Sequence, residues 1–161
     1  MYKKILVPLD GSGLAECVFQ HVIDIAKGCE AAEVDLLYVV GQFIAPFDEF
    51  SVIGTMETAP TGNLRTVGTE RYMKWGKEYL DRVAATFAKD GVPARSVVIR
   101  GNPADCILNY VRDNNIDLVI MATHGRSGPA KWTLGSVADR VLRQSTSPVM
   151  IVRPQECAVT L

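Results

Sequence analysis

Short apolar runs and segments with helical periodicity alternate along most of this chain. Near-continuous apolar residues occupy positions 4–8, 34–40, 95–100, 117–121 and 148–152. Runs of this length are typical of parallel strands that are covered on both faces. Between them, apolar residues recur every three or four positions, as in helices that bury one face. The pattern predicts an α/β fold, a doubly wound five-stranded parallel sheet with helices on both faces.

Two of the predicted helices carry features beyond their periodicity. The first follows a polar turn, in which Asp10 or Ser12 can accept a hydrogen bond from the helix N-terminus. A later helix carries Tyr72, Trp75 and Tyr79 along one stripe. We interpret these three rings as core residues rather than as a platform on which a base stacks.

The segment 41–66 interrupts the alternation, because it separates the second strand from a helix that we predict over 69–89. Connections longer than about 15 residues are uncommon inside a compact domain and are often functional. The segment mixes apolar residues with a polar, glycine-containing stretch. Two interpretations stay open, a lid over a ligand site and a passive surface excursion.

Composition and charge indicate one cytoplasmic domain spanning residues 1–161. The chain is 48% hydrophobic, enough for a sizeable core, and its net charge of −1 gives no reason to expect nucleic acid or an anionic membrane as a partner. No apolar run approaches the ~20 residues that span a bilayer. The four cysteines form no C-x-x-C pair and there are only two histidines, so we expect a reducing compartment and no zinc site.

One loop carries the clearest candidate chemistry. Ala122-Thr123-His124-Gly125 follows the fourth strand, and Gly135-Ser136 stands nine residues later, where the next helix begins. Glycine lets backbone approach an anion closely, and the free N–H groups of a helix N-terminus favour negative charge. The spacing therefore indicates a phosphate site.

The chain resembles the universal stress protein family, specifically its ATP-type nucleotide-binding members. Those members carry Gly, two residues, Gly, nine residues, and then Gly followed by Ser or Thr. Here Ala122 replaces the first glycine, whereas Gly125, Gly135 and Ser136 match. The resemblance covers essentially the whole chain, including the segments 5–12, 37–40, 101–103 and 147–152.

The resemblance implies a sheet of order 3-2-1-4-5 with an adenine nucleotide, ATP or else ADP or AMP, between the first and fourth strands. Mg²⁺ would accompany it through the phosphates, without side-chain ligands. The adenosine would contact Pro8 and Asp10, the adenine Val40, and the ribose the backbone of Ala122. His124 would lie beside the sugar and phosphates, which Gly125, Arg126 and Ser127 would meet from one side and Gly135, Ser136 and Val137 from the other.

The leading functional interpretation is an ATP-binding, cytoplasmic regulator of stress or energy state. The sequence has no P-loop and no kinase signature, so any ATP hydrolysis is expected to be slow. His124 either serves as a general base or only orders its loop. We name no catalytic residue.

Two other classes remain as alternatives. The first is a non-catalytic interaction module, independent of nucleotide, that forms a homodimer through the strand 148–152 and acts on an unknown protein partner. The second is a dinucleotide oxidoreductase, because Gly11 and Gly13 follow the first strand. Glu16 stands where the third glycine of that motif belongs, which argues against this class.

Overall fold

A five-stranded parallel sheet forms the centre of the structure, a computed structural model that describes residues 1–29, 33–41, 63–123 and 134–153. The strands are β1 (Lys4–Leu9), β2 (Glu33–Val40), β3 (Ala94–Arg100), β4 (Leu118–Ala122) and β5 (Val149–Val152). Their order in the sheet is β3-β2-β1-β4-β5, and every neighbouring pair is parallel. This confirms the predicted fold class and strand order.

Helices cover both faces of this sheet. They are α1 (Phe19–Gly28), α2 (Asn63–Lys89), α3 (Pro103–Asp113) and α4 (Ser136–Gln144), with a 3₁₀ turn, Ala15–Val18, before α1. One apolar core lies between the sheet and the pair α1 and α2, and a second core includes residues of α3 and α4. No helix within the described ranges is long and apolar enough to cross a membrane.

The helix after the long connection begins earlier than its predicted start at residue 69. In the structure α2 begins at Asn63, so the last four residues of the segment 41–66 are helical. The prediction gave too much weight to the polar, glycine-containing stretch 61–63, because a stretch of this composition resembles a loop. Residues 42–62 lie outside the described residues, and with them most of the lid candidate.

The interpretation of Tyr72, Trp75 and Tyr79 as a core stripe is wrong for two of the three rings. Tyr79 is buried, but Tyr72 is 55% exposed and Trp75 is 37% exposed. Leu80, Val83 and other apolar residues of α2 form its buried face instead. Helical periodicity identified the element correctly, but Tyr72 is exposed and Trp75 lies at the rim of the buried face, beside Tyr79.

A polar network links two strands to α3 within the sheet. Asp35 of β2 is only 5% exposed, and its two oxygens accept hydrogen bonds from Nε and Nη2 of Arg95 in β3, both at 2.8 Å. The hydroxyl of Tyr110 in α3 donates to the same carboxylate at 2.9 Å. The hydrogen bonds to Asp35 raise the pKa of the Arg95 guanidinium above its ordinary value.

Removing Arg95 is expected to cost more stability than removing an arginine whose partner carboxylate is exposed, because the Asp35 side chain is buried although that of Arg95 is itself exposed. Arg95→Met leaves a buried carboxylate with Tyr110 as its remaining side-chain partner in the described part of the chain, so we expect a loss of about 3 kcal/mol in the free energy of unfolding. Tyr110→Phe removes two hydrogen bonds, the one donated to Asp35 and the one accepted from Nη2 of Arg95, and is expected to cost about 1–2 kcal/mol. Urea unfolding followed by circular dichroism measures both.

Arg143→Met is the matched control, because Arg143 pairs with Asp139 on the exposed side of α4. Exposed pairs contribute at most about 1 kcal/mol, so this variant should unfold close to the wild type. Equal losses for Arg95→Met and Arg143→Met would contradict the account of the network.

Candidate functional site

The order of the strands reverses between β1 and β4, and this is where open α/β sheets bind ligands. The paired residues of these two strands are Ile5 with Leu118 and Leu6 with Val119. In contrast, β1 pairs with β2 as far as Leu9, which lies opposite Tyr38. Pro8 has no N–H to donate to a neighbouring strand. In the described part of the chain, β1 and β4 are therefore unpaired with each other toward their carboxyl ends. We call the end of the sheet at which the parallel strands finish the carboxyl edge.

The Asp10 turn, residues 10–12, follows β1 at this edge. Oδ1 of Asp10 accepts hydrogen bonds from the backbone N of Ser12 at 2.9 Å and from its Oγ at 2.6 Å. Oγ of Ser12 in turn accepts from the backbone N of Ala15, the first residue of the 3₁₀ turn. Ser12 thus supplies a side-chain acceptor for the start of the 3₁₀ turn, and Asp10 orders the turn before it. Oδ2 of Asp10 makes no hydrogen bond to another described residue.

On the other side of the strand reversal, the N-terminus of α4 is held against the end of β4. The backbone N of Gly135 donates to the carbonyl of Thr123 at 2.9 Å, and Thr123 donates its own N–H to Val152 at 3.1 Å. A Cβ at position 135 would lie 2.9 Å from that carbonyl oxygen. Gly135 has a φ of −57°, so close packing rather than an unusual backbone angle requires glycine here.

The first turn of α4 presents hydrogen-bond donors at this position. Ser136 is exposed and begins the helix, and Val137 follows. The first N–H groups of a helix have no acceptor within the helix. Together with the Ser136 hydroxyl they form a set of donors suited to an anion.

Three further predicted residues lie at the carboxyl edge. Pro8 is half-buried next to the end of β1, and Ala122 is the last residue of β4. Because Ala122 has extended backbone, its methyl group in place of the motif glycine causes no backbone strain. Val40 ends β2 with a buried side chain, and its carbonyl accepts from the N–H of Gly101 at 3.0 Å. Its predicted contact with adenine stays a prediction.

The other four predicted residues, His124, Gly125, Arg126 and Ser127, lie outside the described residues. Within the described ranges, no group of three or more His, Cys, Asp or Glu side chains is arranged to hold a metal ion. Seven candidates are described, and they lie at or just after the ends of β1, β2 and β4 or at the start of α4: Pro8, Asp10, Val40, Ala122, Gly135, Ser136 and Val137.

Sequence reasoning missed the contact between Trp75 and the Asp10 turn. Gly11 has a φ of +78°, and a Cβ there would lie 2.5 Å from Cη2 of Trp75. One helical turn later, the hydroxyl of Tyr79 donates to Glu16 at 3.1 Å. Burial is the larger cause, and the nearby Glu16 carboxylate the second, of a pKa for Tyr79 above its ordinary value. The hydroxyl therefore keeps its proton. Only Gly11 gave a signal in the sequence, as a residue of a tight turn.

Comparison with known proteins agrees with this arrangement. The model of the Universal stress protein family matches residues 1–153. A relative, universal stress protein MJ0531 of Methanocaldococcus jannaschii, is 33% identical over 153 residues, which cover 95% of this chain and 83% of the relative.

Solved structures agree as well. The structure of MJ0577, described as a structure-based assignment of biochemical function, superposes with a TM-score of 0.78 at 27% identity, covering 95% of this chain and 96% of that one. Two more distant structures show the same fold with bound nucleotides. One is a universal stress protein in complex with cAMP (TM-score 0.60, 21% identity, 95% and 98% covered), and the other is a family protein from Arabidopsis thaliana with AMP bound (TM-score 0.62, 17% identity, 94% and 91% covered). With its fold, strand order and sequence in agreement, this chain belongs to the universal stress protein family.

Proposed function

We propose that this protein binds an adenine nucleotide, with ATP as the principal ligand, between the carboxyl ends of β1 and β4. The observation that carries the proposal is the contact of Gly135 with the Thr123 carbonyl, because it fixes the donors of the α4 N-terminus beside the strand reversal. The Asp10 turn follows the other strand of the reversal. Relatives of the same fold that contain AMP and cAMP support this choice of ligand class.

The Asp10 turn and the α4 N-terminus, which form the two sides of the proposed ligand site, have different roles. Oδ2 of Asp10 accepts a hydrogen bond from a ribose hydroxyl or from the adenine amino group. The Ser136 hydroxyl and the N–H groups of Ser136 and Val137 donate to phosphate oxygens, where the helix dipole also favours negative charge. Gly125, Arg126 and Ser127 supply the remaining phosphate contacts, as the family resemblance implies.

Mg²⁺ in this proposal is held by the phosphates of the nucleotide. A hard cation of this kind keeps several of its waters and is bound well by phosphate oxygens with few protein ligands. When bound, it neutralises part of the phosphate charge. The residues of this chain bind and orient the nucleotide, and His124 affects any slow hydrolysis more than it affects binding.

The biological role we propose is regulation in the cytoplasm, in which nucleotide occupancy reports stress or energy state. A second candidate is an interaction module that works without nucleotide. The position of β5 at the edge of the sheet favours it, since Val149, Met150 and Ile151 are only partly buried there. An edge strand of this kind can pair with a second copy of the chain.

Saturating Mg-ATP is expected to raise the melting temperature of nucleotide-free protein by about 5–10 °C. A hundredfold excess over Kd stabilises the folded state by about 2.7 kcal/mol, and each kcal/mol moves the midpoint by about 2–4 °C in a domain of this size. Differential scanning calorimetry measures the shift. No shift with ATP, ADP or AMP would overturn the proposal and leave the interaction module.

Asp10→Asn separates the roles of the two carboxylate oxygens. The amide oxygen can still accept from Ser12 and keep the turn, but the second position becomes a donor. Because hydrogen bonds to a charged acceptor contribute about 1.5–3 kcal/mol, AMP and ATP affinity should fall about tenfold or more while inorganic tripolyphosphate affinity stays unchanged. Asp113→Ala, at the end of α3 away from the cleft, is the control. Unchanged AMP affinity in Asp10→Asn would contradict the assigned contact.

The edge strand gives an independent prediction about assembly. We expect a homodimer, and Val149→Lys with Ile151→Lys should convert it to a folded monomer, because paired lysines repel at the strand edge. Size-exclusion chromatography with light scattering measures the mass, and circular dichroism checks folding. Leu142→Lys, on an exposed position of α4, should leave the dimer intact. A wild-type monomer at tens of micromolar would rule out this interface.

A further inference from the structure

An aromatic cluster, formed by Tyr38, Trp75 and Tyr79, packs α2 against β2 and against the turn that follows β1. The rings of Trp75 and Tyr79 stack with centroids 5.5 Å apart and planes at 4°. The ring of Tyr38 meets Trp75 edge-on at 5.5 Å. Tyr38 lies opposite Leu9, the residue before Asp10, so the cluster stands at the carboxyl edge.

Two glycines make room for this cluster. A Cβ on Gly11 would lie 2.5 Å from Cη2 of Trp75, and a Cβ on Gly76 would lie 2.5 Å from Cδ1 of Tyr38. Gly11 also has a φ of +78°, which other residues adopt only with strain. The indole therefore packs directly on the backbone of the Asp10 turn, at a position where only glycine fits.

A second contact from α2 lies just beyond the same turn. The Tyr79 hydroxyl donates to Glu16, which belongs to the 3₁₀ turn that follows the Asp10 turn. Trp75 and Tyr79 are one helical turn apart, so one face of α2 contacts the chain on both sides of Ser12. The Asp10 turn is therefore contacted by α2 in addition to being held by its own hydrogen bonds.

The exposure of Trp75 distinguishes it from an ordinary core residue. Its ring makes the contacts above, yet 37% of the residue remains accessible, whereas Tyr79 and Tyr38 in the same cluster are buried. Indole fluorescence depends on its surroundings. The emission of Trp75 should therefore change when the conformation of the Asp10 turn changes.

We propose that Trp75 is a positioning residue for the nucleoside end of the site, because its ring on Gly11 holds the Asp10 turn in the conformation that presents Asp10 to the ligand. This inference rests on the proposed function. It adds that the affinity for the nucleoside part, and not for the phosphates, depends on an aromatic side chain of α2.

The first test uses the fluorescence of Trp75 itself. The chain has two tryptophans, so Trp132→Phe leaves Trp75 as the only one. With excitation at a wavelength that adenine does not absorb, AMP should change the emission intensity or its maximum, and the titration should give the same Kd as calorimetry. Emission that stays constant while calorimetry detects AMP binding would overturn the proposal.

The second test compares ligands across variants. Trp75→Leu keeps an apolar side chain but removes the ring; if the turn then holds its binding conformation about a tenth of the time, AMP affinity falls about tenfold. Inorganic tripolyphosphate affinity should stay within a factor of two. Trp75→Phe should restore most of the AMP affinity, and Tyr72→Leu, one helical turn earlier on α2, should bind AMP like the wild type.

The outcomes separate this inference from the proposed function. Wild-type protein that binds neither AMP nor ATP overturns the proposed function. Wild-type protein that binds AMP, with unchanged affinity in Trp75→Leu, overturns only the role of Trp75. Equal losses for AMP and tripolyphosphate also overturn it, because they indicate a general disturbance of the fold rather than of the nucleoside end.

Discussion

The reversal of strand order between β1 and β4 is the constraint on which the rest of the structure depends. From β1 the chain winds outward through β2 to β3 with α1 and α2 on one face, and then returns to β4 and β5 with α3 and α4 on the other. The helices that follow β1 and β4, α1 and α4, therefore lie on opposite faces of the sheet. Pro8, which donates no backbone hydrogen bond, lies where pairing between these two strands has ended. A strand reversal of this kind is where open α/β sheets bind ligands, and the side chains around it determine which ligand fits.

Close contacts at two glycines fix the two sides of the proposed ligand site. Gly135 approaches the Thr123 carbonyl and fixes the start of α4, while Gly11 lies beneath the indole of Trp75 and fixes the turn after β1. Packing within the protein, without any ligand, already requires glycine at both positions. Substituting Gly135 therefore tests the local fold as much as it tests phosphate binding, and Asp10 and Ser136 are the more informative positions for mutation.

The short apolar runs predicted the strands, and the resemblance to the family implied their order; both are confirmed. The candidate site residues, which the same resemblance implied, stay predictions. Sequence reasoning failed where tertiary contacts decide. The start of α2 at Asn63 was missed since a polar stretch containing glycine resembles a loop. Trp75 was assigned to the core because periodicity locates a helix face without showing what lies opposite each position. The acceptor role of Ser12 at the start of the 3₁₀ turn and the supporting role of Asp10 likewise depend on hydrogen-bond geometry, which no spacing rule distinguishes.

The central claim is that an adenine nucleotide occupies the carboxyl edge between β1 and β4. Titrating ¹⁵N-labelled, nucleotide-free protein with ATP and following each backbone amide by NMR tests it most directly. The account predicts the largest shifts at Gly11 and Ser12 on one side and at Ser136 and Val137 on the other, while Asn114 and Asp117, at the opposite end of the sheet, stay unchanged. Shifts that concentrate at that opposite end, or no saturable shifts at all, would contradict it.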